Sequence, residues 1–499
     1  MNDRCSCCFR QNIFLKSATK NMRNLFRNIT ATLIALCASH AMSNAAAQTL
    51  TTNDATINKA FDMAIKTLDK SISAEGIILA GGDYGGEWTR DCAFNCANAA
   101  NLLRPEAART SLWSVTENGK RIGHQYWDQI IWVIAAWQHY LATNDAAFLH
   151  QALSCSTTTI SDLERQHFNS LYELFTGPAV FQDGIAGYDE PIFQPGNNNS
   201  YVLDHNADQI MCLSTNCVYY KAYLCLADMM WQCGKDGNAY QNKAKQLKKR
   251  IRQHFYDKAA NRLFYLIDGN GKKHNYTEGL GVAFAVLYDV VSNKEAKSIL
   301  SNVHITRYGI PAVYPAFPRY SAAQPGRHNV MIWPHVNMIY ASACAHARVF
   351  DQFYFEINNL AKLAVEGDGF FEIYDPANGK PSGGYQCDHL WDVRHDQTWC
   401  ATGFLREFIT EIFGIRLTPR GLKIRPLGMN DGSKCTLRGI KFHNNTINIT
   451  VTGKGNGYTP KSCRINGVKA SNFVGHNGAI YENGKYRETT GVLNIEIEL

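Results

Sequence analysis

The sequence predicts a mainly α fold, a toroid of helical hairpins followed by a small antiparallel β domain. Three observations predict it. Apolar residues recur at three- and four-residue intervals from about Thr52 to Phe413, long and short connections alternate through that stretch, and after Phe413 the interval drops to two. A linear helical solenoid is disfavoured, because the loops are long and unequal and no fixed period runs through the chain.

The helical spacing places elements at 54–72, 91–116, 126–143, 145–174, 205–233, 238–257, 276–291, 294–302, 334–350, 352–365 and 397–413. Short turns such as Thr143-Asn144-Asp145 alternate with long glycine- and aromatic-rich loops at 176–204, 258–275, 303–333 and 366–396. Where consecutive helices run antiparallel, every second connection falls at the same end, so the long loops crowd one rim. Tyr188, Phe193, Trp333, Phe370, Tyr374 and Trp391 in those loops mark a built pocket rather than a disordered fringe. Gly81-Gly82-Asp83-Tyr84-Gly85-Gly86 lacks the Lys and Ser/Thr of a phosphate loop and reads as pocket rim. Beyond Phe413, alternating runs such as Thr446-Ile447-Asn448-Ile449-Thr450-Val451 are separated by turn signals such as Asn430-Asp431-Gly432. The expected domains are therefore 48–414, helical, and 415–499, a β-sandwich-like domain without a catalytic constellation.

Residues 1–47 read as a secretory leader. Arg23 and Arg27 precede the apolar run Ile29 to Met42, and Ala45-Ala46-Ala47 before Gln48 offers the small residues of a cleavage site. Leu36 occupies the position where a lipoprotein signal carries a small residue, so a lipid anchor at Cys37 is not expected. The expected destination is the bacterial periplasm. Without the leader, 44 Lys and Arg face 42 Asp and Glu. That near-neutral balance, with no basic run interleaved with aromatics, argues against a nucleic-acid surface. No other run approaches the roughly 18 to 20 apolar residues of a membrane span. The twelve cysteines after the leader show no CxxC spacing and read as buried thiols.

Chemistry concentrates in two loops. Gly369-Phe370-Phe371-Glu372-Ile373-Tyr374-Asp375-Pro376 sets a carboxylate among aromatics, and Asp183-Gly184-Ile185-Ala186-Gly187-Tyr188-Asp189-Glu190-Pro191 supplies a second acidic loop on the same rim. Glycosidic cleavage needs such a pair: one acid protonates the leaving oxygen, and a second carboxylate attacks or activates water. Asp189 and Glu372 are the preferred pair, with Glu190 and Glu278 as rivals for the acid. Read by composition alone, these are equally loop acids that bond backbone.

The order Trp88-Thr89-Arg90-Asp91, Tyr126-Trp127-Asp128-Gln129, Gly187-Tyr188-Asp189-Glu190-Pro191, Trp333-Pro334-His335-Val336-Asn337 and Phe371-Glu372-Ile373-Tyr374-Asp375-Pro376 resembles the six-hairpin glycosidases. These are the (α/α)6 toroid enzymes that include trehalase, the processing α-glucosidase of glycoside hydrolase family 63 and bacterial relatives acting on mannosylglycerate. The resemblance spans roughly residues 80 to 412. It implies Asp189 as general acid and Glu372 as general base, inversion at the anomeric carbon and no cofactor. It further implies that Trp88, Arg90, Asp91, Trp333 and Asn337 line the innermost sugar subsite, with Trp127 and Asp128 nearby.

Three departures stand out: Glu190 beside Asp189, Val330 after Asn329, and an insertion from Cys387 to Asp396. The insertion holds two His and three Asp between Asp388 and Asp396, but their spacing matches no standard metal site. A polar substrate-facing loop and no metal are expected. The expected partner is an oligosaccharide or small glycoside, and the expected activity is hydrolysis of an α-linked glucoside or mannoside. Two alternatives remain: a phosphorylase in which His328 and His335 help to bind phosphate, and a non-catalytic carbohydrate-binding protein.

Overall fold

The computed structural model describes residues 48–82, 84–455, 460–470, 473–474, 480–482, 485–487 and 491–499. The leader-like segment 1–47 lies outside the described residues.

Among the described residues, twelve helices alternate between an outer and an inner ring. The outer ones are α1 (Ala55–Lys70), α3 (Pro105–Ser114), α5 (Ala146–His167), α7 (Asn238–Phe255), α9 (Asn293–Ser301) and α11 (Phe350–Gly367). The inner ones are α2, α4 (Ile131–Thr143), α6 (Leu213–Gln232), α8 (Gly279–Leu287), α10 (Pro334–His346) and α12 (Thr398–Arg406). α2 runs through Thr89–Asn95, the wider π turn Cys96–Ala100 and Asn101–Leu103, and α12 continues into a second π stretch, Glu407–Ile412.

Sequence decides which ring a helix joins. α4 buries eleven of its thirteen residues and α10 twelve of thirteen, since neither carries a polar face. α7 buries four of eighteen, and its Lys and Arg side chains coat the outside. Each inner helix packs on the next, and α12 returns to α2, so the ring closes. The outer helix α1 packs on α11 and α12, sealing the first hairpin against the last.

The expected helix 91–116 is in fact two. Pro105 has no N–H to donate and its ring obstructs the preceding turn, so Arg104 leaves helical geometry (φ −139°, ψ 60°) and Pro105 starts α3. That break supplies the twelfth helix and completes six hairpins. The inner-to-outer turns are short, whereas every outer-to-inner connection is long. All the long loops therefore gather at the N-terminal ends of the inner helices, the predicted rim. Two of them, 71–88 and 115–130, are connections that the periodicity folded partly into neighbouring helices.

After α12 come the strands. Cys435–Phe442, Asn445–Thr452, Gly491–Glu498, Ser462–Ile465 and Val468–Lys469 lie side by side, with Thr49–Thr51 added at the outer edge. Alternation buries Ile447, Ile449 and Val451 on one strand and Leu493, Ile495 and Ile497 on its neighbour. These two strands pair in parallel, Ile447 opposite Leu493, while the other described pairings in this sheet are antiparallel. A second sheet begins with the hairpin Ile415–Thr418 and Gly421–Ile424. The twelve cysteines from Cys92 to Cys463 are all unpaired, and ten of them are buried.

Candidate active site

A cavity of about 230 Å³ opens at the N-terminal end of the inner ring. Its aromatic walls are Tyr84, Trp88, Phe181, Trp333, Trp391 and Trp399; its charged groups are Arg90, Asp91, Asp183, Arg327 and Glu372. Four long connections supply these residues together with the first turns of α2 and α12. The loop 258–275 contributes no lining residue. It braces the rim instead: Tyr265, buried and stacked 6.0 Å from Tyr188, donates its phenol hydrogen to Gly187 O at 3.0 Å.

Glu372 is only 3% exposed and is held from both sides. Tyr84 Oη donates to Oε1 at 3.0 Å, and Arg327 Nη2 donates to Oε2 at 2.9 Å. Arg327 is itself fixed, donating to Gly383 O at 3.0 Å, with its guanidinium 5.3 Å from the Trp333 ring and 5.7 Å from that of Trp391. Burial, then the charge of Glu372, raises the Tyr84 phenol well above its ordinary range, so it remains a donor.

The same cavity holds a cluster around Arg90. Its Nη2 donates to Asp183 Oδ2 at 2.9 Å, its Nη1 reaches Asp128 Oδ2 at 3.4 Å and also Gln125, and its Nε lies 3.5 Å from Asp91 Oδ2. One cation cannot neutralise three closely set carboxylates, two of them buried, and the protonation pattern reflects that. Burial first, opposed by Arg90 and assisted by Asp183, pushes Asp91 up to about 7, and the same forces push Asp128 up to about 7. Asp183 goes the other way. Its burial acts upward, but Arg90, helped by Arg327, outweighs it and holds the carboxyl below the ordinary range.

The turn Ile185–Gly187 decides which acid of its loop enters the cavity. Tyr188, fully buried, anchors it: Ala179 N–H donates to Tyr188 Oη at 2.9 Å, and that hydroxyl donates to Gln182 O at 2.7 Å. Asp183 then lines the cavity, whereas Asp189 does not; it accepts from Tyr276 Oη at 2.5 Å and lies 3.7 Å from Arg319 Nη1. Glu190 is exposed. Glu278 is buried away from the cavity, accepting from Ser214 N–H at 3.3 Å, and burial pushes it up to about 8. Gly184 permits the loop's close approach, because a Cβ there would stand 2.4 Å from Gln386 Oε1 and 2.6 Å from the His328 ring.

Of the other predicted residues, Trp88, Arg90, Asp91 and Trp333 line the cavity. Trp127 does not: it is fully buried behind the wall, with its ring 6.3 Å from that of Tyr201. Asp128 sits behind Arg90. Asn337 points away, donating from Nδ2 to Glu356 Oε2 on α11 at 2.8 Å, because its position on α10 faces the outer helix. His335 is likewise behind the wall, stacked 4.5 Å from Trp399, and burial first pushes both it and His328 down to about 3.

The insertion contributes Trp391 to the wall. Its Asp396 binds Lys70 Nζ at 2.9 Å, and His395 lies 3.2 Å from Asp368 O. Among the described residues, no group of three or more His, Cys, Asp or Glu is arranged to hold a metal ion. The lining residues Tyr84, Asp183, Arg327, Gln386 and Trp399 were absent from the expected site. Only Asp183, inside the quoted acidic loop, and Tyr84, in the glycine-rich rim, carried a sequence signal.

Comparison with known proteins places this geometry in context. Residues 86–399 match the family model described as mannosylglycerate hydrolase MGH1-like glycoside hydrolase domain. A solved sialidase superposes with a TM-score of 0.64 at 15% identity, over 85% of this chain and 40% of the other, so the chain spans about two fifths of that protein's length. The GH63 mannosylglycerate hydrolase from Thermus thermophilus in complex with glucose gives a TM-score of 0.54 at 13% identity, over 69% and 99% of the two chains. The GH78 family rhamnosidase of Bacillus sp. GL1 gives 0.54 at 14% identity, over 81% and 41%. No curated protein sequence matches. At these identities the superpositions establish the (α/α)6 fold, and the family match spans more than half of the chain. The chain is a glycoside hydrolase of the mannosylglycerate hydrolase MGH1-like family.

Proposed function

We propose that the protein is an exported, inverting exo-glycosidase acting on an α-linked mannoside or glucoside, with Asp183 as general acid and Glu372 as general base. The observation that carries this reading is the arrival of Asp183 and Glu372, from separate long loops, in one aromatic-walled cavity. At about 230 Å³ the cavity is smaller than the roughly 300 to 1,000 Å³ of pockets that take drug-sized ligands, which suits a single terminal sugar. The family match and the Thermus thermophilus enzyme support the α-mannoside or α-glucoside class. The leader-like composition of residues 1–47 supports export.

In this scheme Glu372 accepts a proton from water as the water oxygen attacks the anomeric carbon, and Asp183 delivers a proton to the departing glycosidic oxygen. Tyr84 and Arg327 orient the base. Asp183 must carry a proton when the bond breaks, yet Arg90 holds it low. A sugar whose hydroxyls engage Arg90 and Asp91 loosens that hold and desolvates Asp183 further, and both effects move its pKa upward. Phosphorolysis receives less support, because His328 and His335 are neutral near pH 7 and bring no positive charge to a phosphate.

The test is turnover of a panel of α-mannosides and α-glucosides with the product followed by NMR. Free sugar that first appears with the β configuration supports the scheme. Initial α product indicates retention, and a sugar phosphate formed only with added phosphate indicates phosphorolysis.

A further inference from the structure

A second cavity, of about 220 Å³, lies within the helical ring apart from the catalytic one. The two share no lining residue. Phe94, which lines the second, packs edge-on against His335 at 4.2 Å and stands 6.4 Å from Trp399 of the catalytic wall. Most of the lining is apolar, including Ile134, Phe284 and Ile339, but three cations also line it: Lys221 from α6, Arg406 from α12 and Arg416 from the first strand after the ring. Among the described residues, no acidic side chain does.

The cations differ in how they are satisfied. Arg416 is engaged by Glu411 through both terminal nitrogens. Arg406 has a side chain only 19% exposed, and its nearest carboxylate oxygen, on Glu407, is 3.6 Å away. Among the described residues its guanidinium makes no hydrogen bond, and the Lys221 ammonium stands 5.9 Å from the Tyr288 ring, with Asp228 and Asp289 close enough to feel its charge. Solvent reaches the Arg406 nitrogens, so their donors are open to an acceptor from solution. The partial exposure of Arg406 and Arg416 puts the charge towards solvent, with the aromatic and aliphatic lining deeper.

We propose that this cavity is a second ligand site, which takes a small organic carboxylate with its head on Arg406 and Lys221 and its compact apolar body against Phe94 and Phe284. A carboxylate matches the planar fork of Arg406 and gains a second charge from Lys221, and the apolar interior excludes a bare, strongly hydrated anion.

The site is tested by titrating the full chain with sodium benzoate, using benzamide as a neutral isostere and sodium sulfate as a head group without a body, at constant ionic strength. The expected results are calorimetric binding and a raised melting temperature with benzoate, and much weaker effects with the other two. Loss of charge-assisted bonds weakens benzoate binding about 10- to 100-fold in Arg406→Gln, and to a smaller extent in Lys221→Met. Both variants keep the glycosidase activity, which also reports folding; should Arg406→Gln misfold, Lys221→Met carries the test. Absence of benzoate binding, equal binding of benzamide, or unchanged affinity in a folded variant overturns the proposal.

Discussion

Replacing Asp183 by asparagine preserves the side chain's shape and leaves an amide oxygen to accept from Arg90 Nη2, which now bonds the carboxylate at 2.9 Å. What it removes is the transferable proton. General-acid catalysis contributes about 10²- to 10⁴-fold, or about 2.7 to 5.4 kcal/mol of barrier. Arg90 keeps Asp91 and Asp128 within 3.5 Å, so the local charge stays balanced and the fold loses about 1 kcal/mol. The loss should depend on the leaving group: it should be large for alkyl glycosides and much smaller for nitrophenyl glycosides, whose departing oxygen needs little protonation. The companion variant Asp189→Asn weakens contacts to Tyr276 and Arg319 outside the cavity, costs about 1 kcal/mol, and should leave kcat/KM within a few-fold. Steady-state kinetics of both variants on paired alkyl and aryl substrates decide the matter. An Asp183→Asn enzyme within ten-fold of wild type on the alkyl substrate, or an Asp189→Asn enzyme with the deeper loss, refutes the assignment.

Glu372→Gln should lower kcat by about 10²- to 10⁴-fold with KM little changed and an unaltered circular dichroism spectrum, since the amide keeps the shape but accepts no proton. Tyr84→Phe removes one of the two side-chain donors on Glu372, worth about 1 kcal/mol; a drop of about five-fold in kcat without a matching rise in KM is the expected pattern. Asp128 has a folded pKa of about 7 against an ordinary 3.8, so the folded state binds the extra proton and this group's contribution to stability is lost as pH rises from about 4 to 7, whereas His328 and His335 act in the opposite sense. Asp128→Asn should therefore make the slope of stability against pH more positive over that window in urea unfolding at several pH values, and an unchanged slope would contradict the protonation assigned to Asp128.

Much of the architecture was readable because it rests on local pattern. Helix periodicity, alternating connection lengths and the switch to two-residue spacing needed no knowledge of distant partners. The misread helix at 91–116 is also local, since Pro105 marked the break and the apolar spacing on both sides masked it. The site divides differently. Glu372 was legible because its aromatic loop is contiguous in sequence. Asp183 was not preferred over Asp189, because only five residues of loop separate them and it is the burial of Tyr188 among distant residues that determines which acid turns inward. Asn337 looked like a pocket residue until Glu356, nineteen positions on, claimed its amide. Arg327 and Tyr84 gave no sign of sharing one carboxylate, for the three come from different connections and meet only when the ring closes.

Closure itself has a temporal side. The strand Thr49–Thr51 pairs with Thr436 to Arg438, and Gln48 Nε2 donates to Gly439 O at 3.0 Å across 391 positions of chain. α1 waits in the same way for α11 and α12. During synthesis the opening segment can meet Arg104 early, through Gln48 and Asp69, but it waits for its strand partner until the chain has been made past Gly439, and the ring acquires its last wall late. Contacts of such sequence separation slow folding, and they expose the apolar side of α1 meanwhile, so a nascent chain of this kind is a natural client for chaperones that shield unfinished seams.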